Sequence, residues 1–279
     1  MIQRLRQGFS MLELVMVIVV LGIVSSIGAE IIANVYEGYI VQRAQHRASI
    51  KTEIAATQIA NRLAYAIPGT VVRRVGTAGA PTDITMPAAD GANVLQWVGA
   101  DMDSFNASTQ NAAGTFIPGW SGFCDFDASS TTSISTPGSN LALTTTIRTN
   151  LGLISASPKI YFPVSDGLRS YNATFNGLNN ITLTNPNPAP PVVAKISEHY
   201  KLATSSYALE ARANGELWLY YNFSPQRNVA IPNNNSKLLL RNVTTFRFRG
   251  DGRTIRFKIC ARESIGDDNI TVCKEKAVF

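Results

Sequence analysis

Residues 9–33 read FSMLELVMVIVVLGIVSSIGAEIIA, an unbroken apolar run whose only charges are Glu13 and Glu30. A helix of this length rises about 1.5 Å per residue and can cross a hydrocarbon core of about 30 Å. The preceding residues, MIQRLRQG, place Arg4 and Arg6 on one side of the run. That asymmetry orients the segment with its N-terminus in the cytoplasm. A cleaved secretory signal is the competing reading, and three details count against it. The run is longer than the usual signal core of about 7–15 residues, no A-x-A-like site closes it, and a carboxylate sits near its start. That carboxylate, Glu13, costs a few kcal/mol in lipid unless it lies at the interface or finds a partner.

Beyond residue 33 the pattern stays helical but becomes amphipathic. Ile40, Ala44, Ala48, Ile50, Ile54, Ala55, Ile59, Leu63 and Ala66 recur mostly three to five residues apart, with Gln42, Arg43, Gln45, Arg47, Lys51, Glu53 and Arg62 between them. Pro68-Gly69 then stops the helix. The spacing predicts one nearly continuous helix over 9–67, about 90 Å long, half in a membrane (9–33) and half packed on a head. His46 falls between Gln45 and Arg47, the setting of a solvated side chain.

Residues 68–279 alternate strand-like runs with Gly, Pro and Asn turns, so the fold class expected is α+β: a long N-terminal helix packed on a large, mainly antiparallel β head. The strands expected are 70–75, 93–98, 159–162, 216–223, 238–248, 254–262 and 270–279. The stretches 76–91, 104–122, 129–140 and 185–191 read as surface loops, the last of them (NPNPAPP) extended. Charged residues make up 16% of the 279 residues, while Ser, Thr, Asn and Gly dominate the middle of the chain. The composition is that of an exported protein rather than a cytosolic enzyme. With two His and three Cys, multi-histidine zinc chemistry and most histidine-based catalysis start from a poor inventory. We assign no catalytic residue, no metal and no cofactor.

The C-terminal segment can be read to its register. Phe246, Phe248, Ile255, Phe257 and Ile259 share one face of a hairpin, and Arg247, Arg249, Arg256, Lys258 and Arg262 the other. A two-residue turn at Asp251-Gly252 pairs Gly250 with Arg253, Phe248 with Ile255, Phe246 with Phe257 and Arg247 with Arg256. The tripeptide Arg249-Gly250-Asp251 is then hairpin chemistry rather than an integrin ligand. A following strand brings Cys273 opposite Cys260 and Glu275 opposite Lys258, within bridging range for a disulfide. Cys124 is left over. A buried thiol is the reading we carry, beside a mixed or intersubunit disulfide and metal binding with Asp125 and Asp127. The five outward cations, with Lys274 and Lys276 nearby, form a candidate anion patch for DNA, a lipid phosphate or an acidic partner. A solvated edge that discourages aggregation competes with it. The stretch Asp267-Asp268-Asn269-Ile270-Thr271 is similar to the extended acceptor for bacterial N-glycosylation.

The stretch Gly8-Phe9-Ser10-Met11-Leu12-Glu13, after a short basic leader and before an apolar helix, resembles the processing site of type IV pilins and type II secretion pseudopilins. Gly22 matches a glycine common in that family, while Glu30 stands where many members carry a helix-bending proline. The resemblance covers residues 8–33 and implies a cleaved leader (1–8), a peptidase cut between Gly8 and Phe9, N-methylation of Phe9 and an assembly role for Glu13. It also implies partners: other pilin or pseudopilin subunits, a prepilin peptidase, an inner-membrane assembly platform and membrane lipid. The location implied is a bacterial inner membrane crossed once, with a periplasmic head. A head of this size, and Arg62-Leu63-Ala64-Tyr65-Ala66-Ile67-Pro68 before it, resemble minor subunits. Two other classes stand beside this one: a filament-tip module binding DNA or another anionic surface ligand, and a membrane-anchored periplasmic enzyme.

Overall fold

The computed structural model describes residues 10–87, 91–153, 157–166, 168–187, 195–266 and 268–279. The chain runs α1 (Met11–Leu63), β1 (Val72–Arg74), β2 (Thr82–Asp83), β3 (Val94–Ala100), α2 (Met102–Asn106), β4 (Ser108–Gln110), β5 (Phe116–Pro118), β6 (Asp125–Ser130) and β7 (Ser133–Ser135). It continues through α3 (Leu141–Asn150), β8 (Lys159–Tyr161), β9 (Ser170–Asn176), β10 (Asn180–Asn187), β11 (Lys201–Ala211) and β12 (Leu217–Phe223). The last strands are β13 (Ser236–Leu240), β14 (Val243–Asp251), β15 (Thr254–Ile265) and β16 (Asp268–Val278). The expected α+β architecture is present: one long N-terminal helix and a head built of antiparallel sheets.

Helix α1 begins at Ser10, whose hydroxyl accepts from the Glu13 N–H at 3.3 Å and caps the first turn. Its first thirty residues touch nothing in the head, and Met11 to Ile40 are almost all exposed. The second half turns Ala44, Ala48, Thr52, Ala55, Ala56, Ile59 and Leu63 inward. Four of these seven are alanines, which let the helix axis approach the sheet closely. Thr52 satisfies its own hydroxyl on Ala48 O at 2.7 Å, so it enters the core at little cost.

The helix stops at Leu63, short of residue 67, because the next backbone groups find sheet partners. Ala100 N–H donates to Tyr65 O and Ile67 N–H to Val98 O, each at 2.9 Å, and Ala66 bridges Gly99. A residue before proline also disfavours the helical region, which turns Ile67 away from a further turn.

Two sheets receive the helix. The three-stranded sheet β14-β15-β16 packs directly on α1. The large sheet runs β2-β1-β3-β11-β8-β9-β10-β7-β6, with β12 on β11 and β13 on β12. Trp97, Leu209, Leu219, Phe246, Phe257 and Ile259 join the inner face of α1 in one core, and Trp120, Phe162, Tyr171 and Leu202 fill a second core away from the helix.

Several elements differ from the expectation. The central strand β11 (KLATSSYALEA) lies outside the predicted strands, because its middle is polar. Thr204, Ser205 and Ser206 are buried there, with Ser206 Oγ donating to Ser224 O and Ser205 Oγ accepting from Asn222 N–H. The expected strand 238–248 is two strands, broken at Asn242 with φ 58°, where the chain passes from the large sheet to the small one. Helix α3 arises in a Thr-rich stretch: Asn140 caps it, and Thr145, Thr146 and Thr149 donate to carbonyls four residues back. Short strands also cross the expected loops 76–91, 104–122 and 129–140. Most of NPNPAPP lies outside the described residues.

The hairpin register differs by a shift that preserves both faces. Asp251 pairs with Thr254, Arg249 with Arg256, Phe248 with Phe257 and Arg247 with Lys258. The turn is therefore Gly252-Arg253, with Gly252 at φ 58° in the first central position, where a II′-type turn requires glycine. Gly250 is a strand residue: it donates to Ile84 O at 3.3 Å, and a Cβ there would stand 2.7 Å from Ile84 Cγ2.

Candidate functional site

The processing segment comes first in the chain. Gly8, Phe9, Arg4 and Arg6 lie outside the described residues. Glu13 occupies the first turn of α1, where a carboxylate complements the exposed N–H groups of a helix start. Within the described chain it has no counter-charge, and the large apolar side chains that follow it, from Leu14 to Ile32, are all more than half exposed. Glu30 lies on the same uncovered stretch. A helix with this apolar surface is stable only in lipid or against other helices.

The C-terminal strands carry the second set of residues. Cys260 and Cys273 stand directly opposite each other and are disulfide-bonded, as expected, and Lys258 faces Glu275. Cys260 belongs to the outward row yet is buried, flanked by Cys273 and Thr245 as cross-strand neighbours. Lys274 and Lys276 do not belong to the outward patch. They oppose Ile259 and Phe257, on the face that packs against α1, and both pair with Glu53, Lys274 at 3.4 Å. Lys51 reaches Glu263 at 3.4 Å on the same seam.

Glu53 is held below the usual carboxylate range, first by its hydrogen bond from Lys276. A depressed carboxylate contributes stability that is full above its unfolded value and is lost as pH falls through its folded value. The seam between α1 and β16 should therefore loosen on the acid side of the ordinary carboxylate range. Thermal unfolding measured against pH should show this component shrinking in Glu53→Gln; an unchanged acid limb would remove Glu53 from the linkage.

Of the five expected patch residues, four converge. Arg247, Arg249, Arg256 and Lys258 line an open cleft of about 570 Å³ together with Phe246, Phe248, Asn93, Arg73 and Glu275. Arg262 is separate: it lines a different groove beside Lys51 and Glu263. Arg73 was not among the expected patch residues, though it lies in a stretch read as strand. It is 3% exposed, and its Nη2 donates to the carbonyls of Asp83, Met86 and Pro87. Its Nε has no partner among the described residues. The Arg73-Arg74 pair inside an apolar strand was the available signal, since a buried cation needs a reason.

Cys124 is fully buried beside Trp120 and Ile134, its sulfur 3.4 Å from Ser129 Oγ, and burial pushes its thiol pKa up. Such a thiol stays protonated and unreactive. Among the described residues no group of three or more His, Cys, Asp and Glu side chains is arranged to hold a metal ion. Alkylation of the native, oxidised protein should label no cysteine; unfolding alone should expose Cys124, and reduction should add Cys260 and Cys273. Labelling of Cys124 before unfolding would contradict its burial. Asn269 is exposed on β16 opposite Ser264, while Asp267 lies outside the described residues.

Fold and helix together define a stalk-and-head protein, with an apolar stalk capable of crossing a membrane and a disulfide-stapled β head docked on its far half. Residues 3–29 match the family described as the prokaryotic N-terminal methylation motif. That motif supports the type IV pilin and pseudopilin family for this chain, with assembly beside other pilin subunits and processing by a prepilin peptidase as its implications. No curated protein and no solved structure matches the chain.

Proposed function

We propose that this protein is a minor pilin or minor pseudopilin: a structural subunit that enters, or primes, a thin filament anchored in the inner membrane. The observation that carries the reading is the uncovered stretch of α1. Some thirty residues of apolar helix, with Glu13 in the first turn and the methylation motif spanning residues 3–29, have no partner in the head. Lipid covers that surface before assembly and neighbouring helices cover it afterwards. In the filament, Glu13 answers the methylated amino group of Phe9 on an adjacent subunit. This pair specifies axial register more than it adds net stability. The head stands in the periplasm, where the Cys260–Cys273 bridge forms and persists.

Purification of the full chain from its native host in mild detergent should recover other proteins bearing the same N-terminal motif. Recovery of the chain alone would count against a filament role. A periplasm-dependent reporter fused after Phe279 should be active, and activity of a cytoplasm-dependent reporter there would reverse the orientation.

A further inference from the structure

We propose that the cleft between β14–β15 and the Arg73–Asn93 side of the large sheet binds a single-stranded phosphodiester chain. The proposal uses none of the filament residues and stands or falls apart from them.

The first observation is the charge arrangement. In the observed register Arg249 lies directly opposite Arg256, and Arg247 directly opposite Lys258. Like charges in directly opposed positions are unfavourable, and here two such pairs stand one pleat repeat apart on the same face. None of these four cations makes an ion pair within 4.0 Å among the described residues, and Glu275, opposite Lys258, is the one acid among the cleft-lining residues. The arrangement is relieved by a ligand carrying regularly spaced negative charge. Residues two apart on a strand are about 6.8 Å apart, a step close to that of successive phosphates in an extended strand.

The second observation is the floor of the cleft. Arg73 is a buried guanidinium held by carbonyl groups, with an unpartnered Nε and no carboxylate bonded to it among the described residues. The acid of the nearby strand β2, Asp83, is engaged elsewhere, by Arg227 at 2.6 Å. Among the described residues no carboxylate offsets this buried cation, whose burial is costly, and an anion seated in the cleft lowers that cost. The outer edge of β14 faces this side: the Gly250 N–H is taken by Ile84 O, and strand alternation turns the N–H groups of Phe248 and Phe246 the same way. Phe248, half-buried, lies against Phe246 with ring centroids 5.1 Å apart and gives the wall an apolar surface.

Position argues against the lipid of the protein's own membrane. The neighbouring strand β16 is tied to α1 at Glu53, and from Ala33 to Glu53 the helix rises about 30 Å. The volume, about 570 Å³, accommodates a single strand rather than a duplex. The arginines favour phosphate over carboxylate partners only in part, so an acidic polypeptide is the alternative that the experiment must separate.

Full-length protein in neutral detergent would be titrated against a fluorescein-labelled oligothymidylate of about 12 nucleotides, a length that one compact site can span. Binding should weaken with salt with a slope of log K against log salt near −2.8, the value for about four phosphates neutralised on a single strand. R249Q/R256Q should weaken binding at least tenfold and flatten the slope by about 1.4. Its thermal stability should be unchanged or raised, because a like-charge pair has been removed. Absence of binding at low salt, or full binding by that variant, would overturn the assignment. Equal affinity for polyglutamate, or preference for phosphatidylglycerol vesicles over the oligonucleotide, would overturn it as well.

Discussion

Glu13→Gln should abolish or strongly reduce incorporation into the filament while leaving membrane insertion intact. The substitution keeps shape and polarity but removes the charge that answers the amino terminus of a neighbouring Phe9. A positive charge left buried without its partner costs about 3–5 kcal/mol, which is about two to nearly four orders of magnitude in a subunit's association constant. A plain membrane anchor predicts the opposite sign, since a neutral amide is cheaper in lipid than a carboxylate. Co-purification with other motif-bearing subunits, compared between wild type and variant at equal membrane abundance, separates the two. Unchanged recovery would reduce Glu13 to an interfacial residue, and Glu13→Asp, which keeps the charge but shortens its reach, should fall between wild type and Gln.

Trp97→Ala should be the most damaging single change in the head. Trp97 is fully buried on β3, stacks on Tyr207 at 5.8 Å between centroids, and belongs to the core that includes Ile59 and Leu63 of α1. Removing so large a side chain costs about 3–5 kcal/mol through lost burial and a cavity that its neighbours cannot fill. Because that core joins helix and head, the docked half of α1 should lose protection with it. Amide hydrogen exchange should rise over residues 44–63 and 94–100 together. Trp97→Phe should be far milder, since the Nε1 it removes has no partner among the described residues. Loss of head stability without any change in α1 would show that the two are not one cooperative unit.

The contrast between what was legible and what was not follows from side-chain chemistry. The stalk was readable because hydrophobicity and helical period agree over many residues, and the C-terminal strands because Phe and Arg alternate without interruption. Strict alternation also survived the register difference: moving the turn to Gly252-Arg253 shifts every pair yet leaves each face unchanged. The pairing of Cys260 with Cys273 depended only on the β15–β16 register and so was unaffected. Strand β11 was hidden because a central strand buries both faces, and here Thr204, Ser205 and Ser206 fill it, the two serine hydroxyls hydrogen-bonded within the head. The convergence of the basic cleft was half legible. One strand pair supplied four cations, but Arg73 arrives from a segment more than 170 residues away, and Lys274 and Lys276 leave the patch for Glu53 because β16 turns them toward α1.

The central claim is that the chain is processed as a filament subunit, and the mature N-terminus tests it most directly. Intact-mass and N-terminal analysis of the protein isolated from its native host should show Met1–Gly8 absent and Phe9 at the start, carrying one methyl group on its amino nitrogen. A mature protein that still carries its first eight residues, or one cut beyond Glu13, would contradict the account.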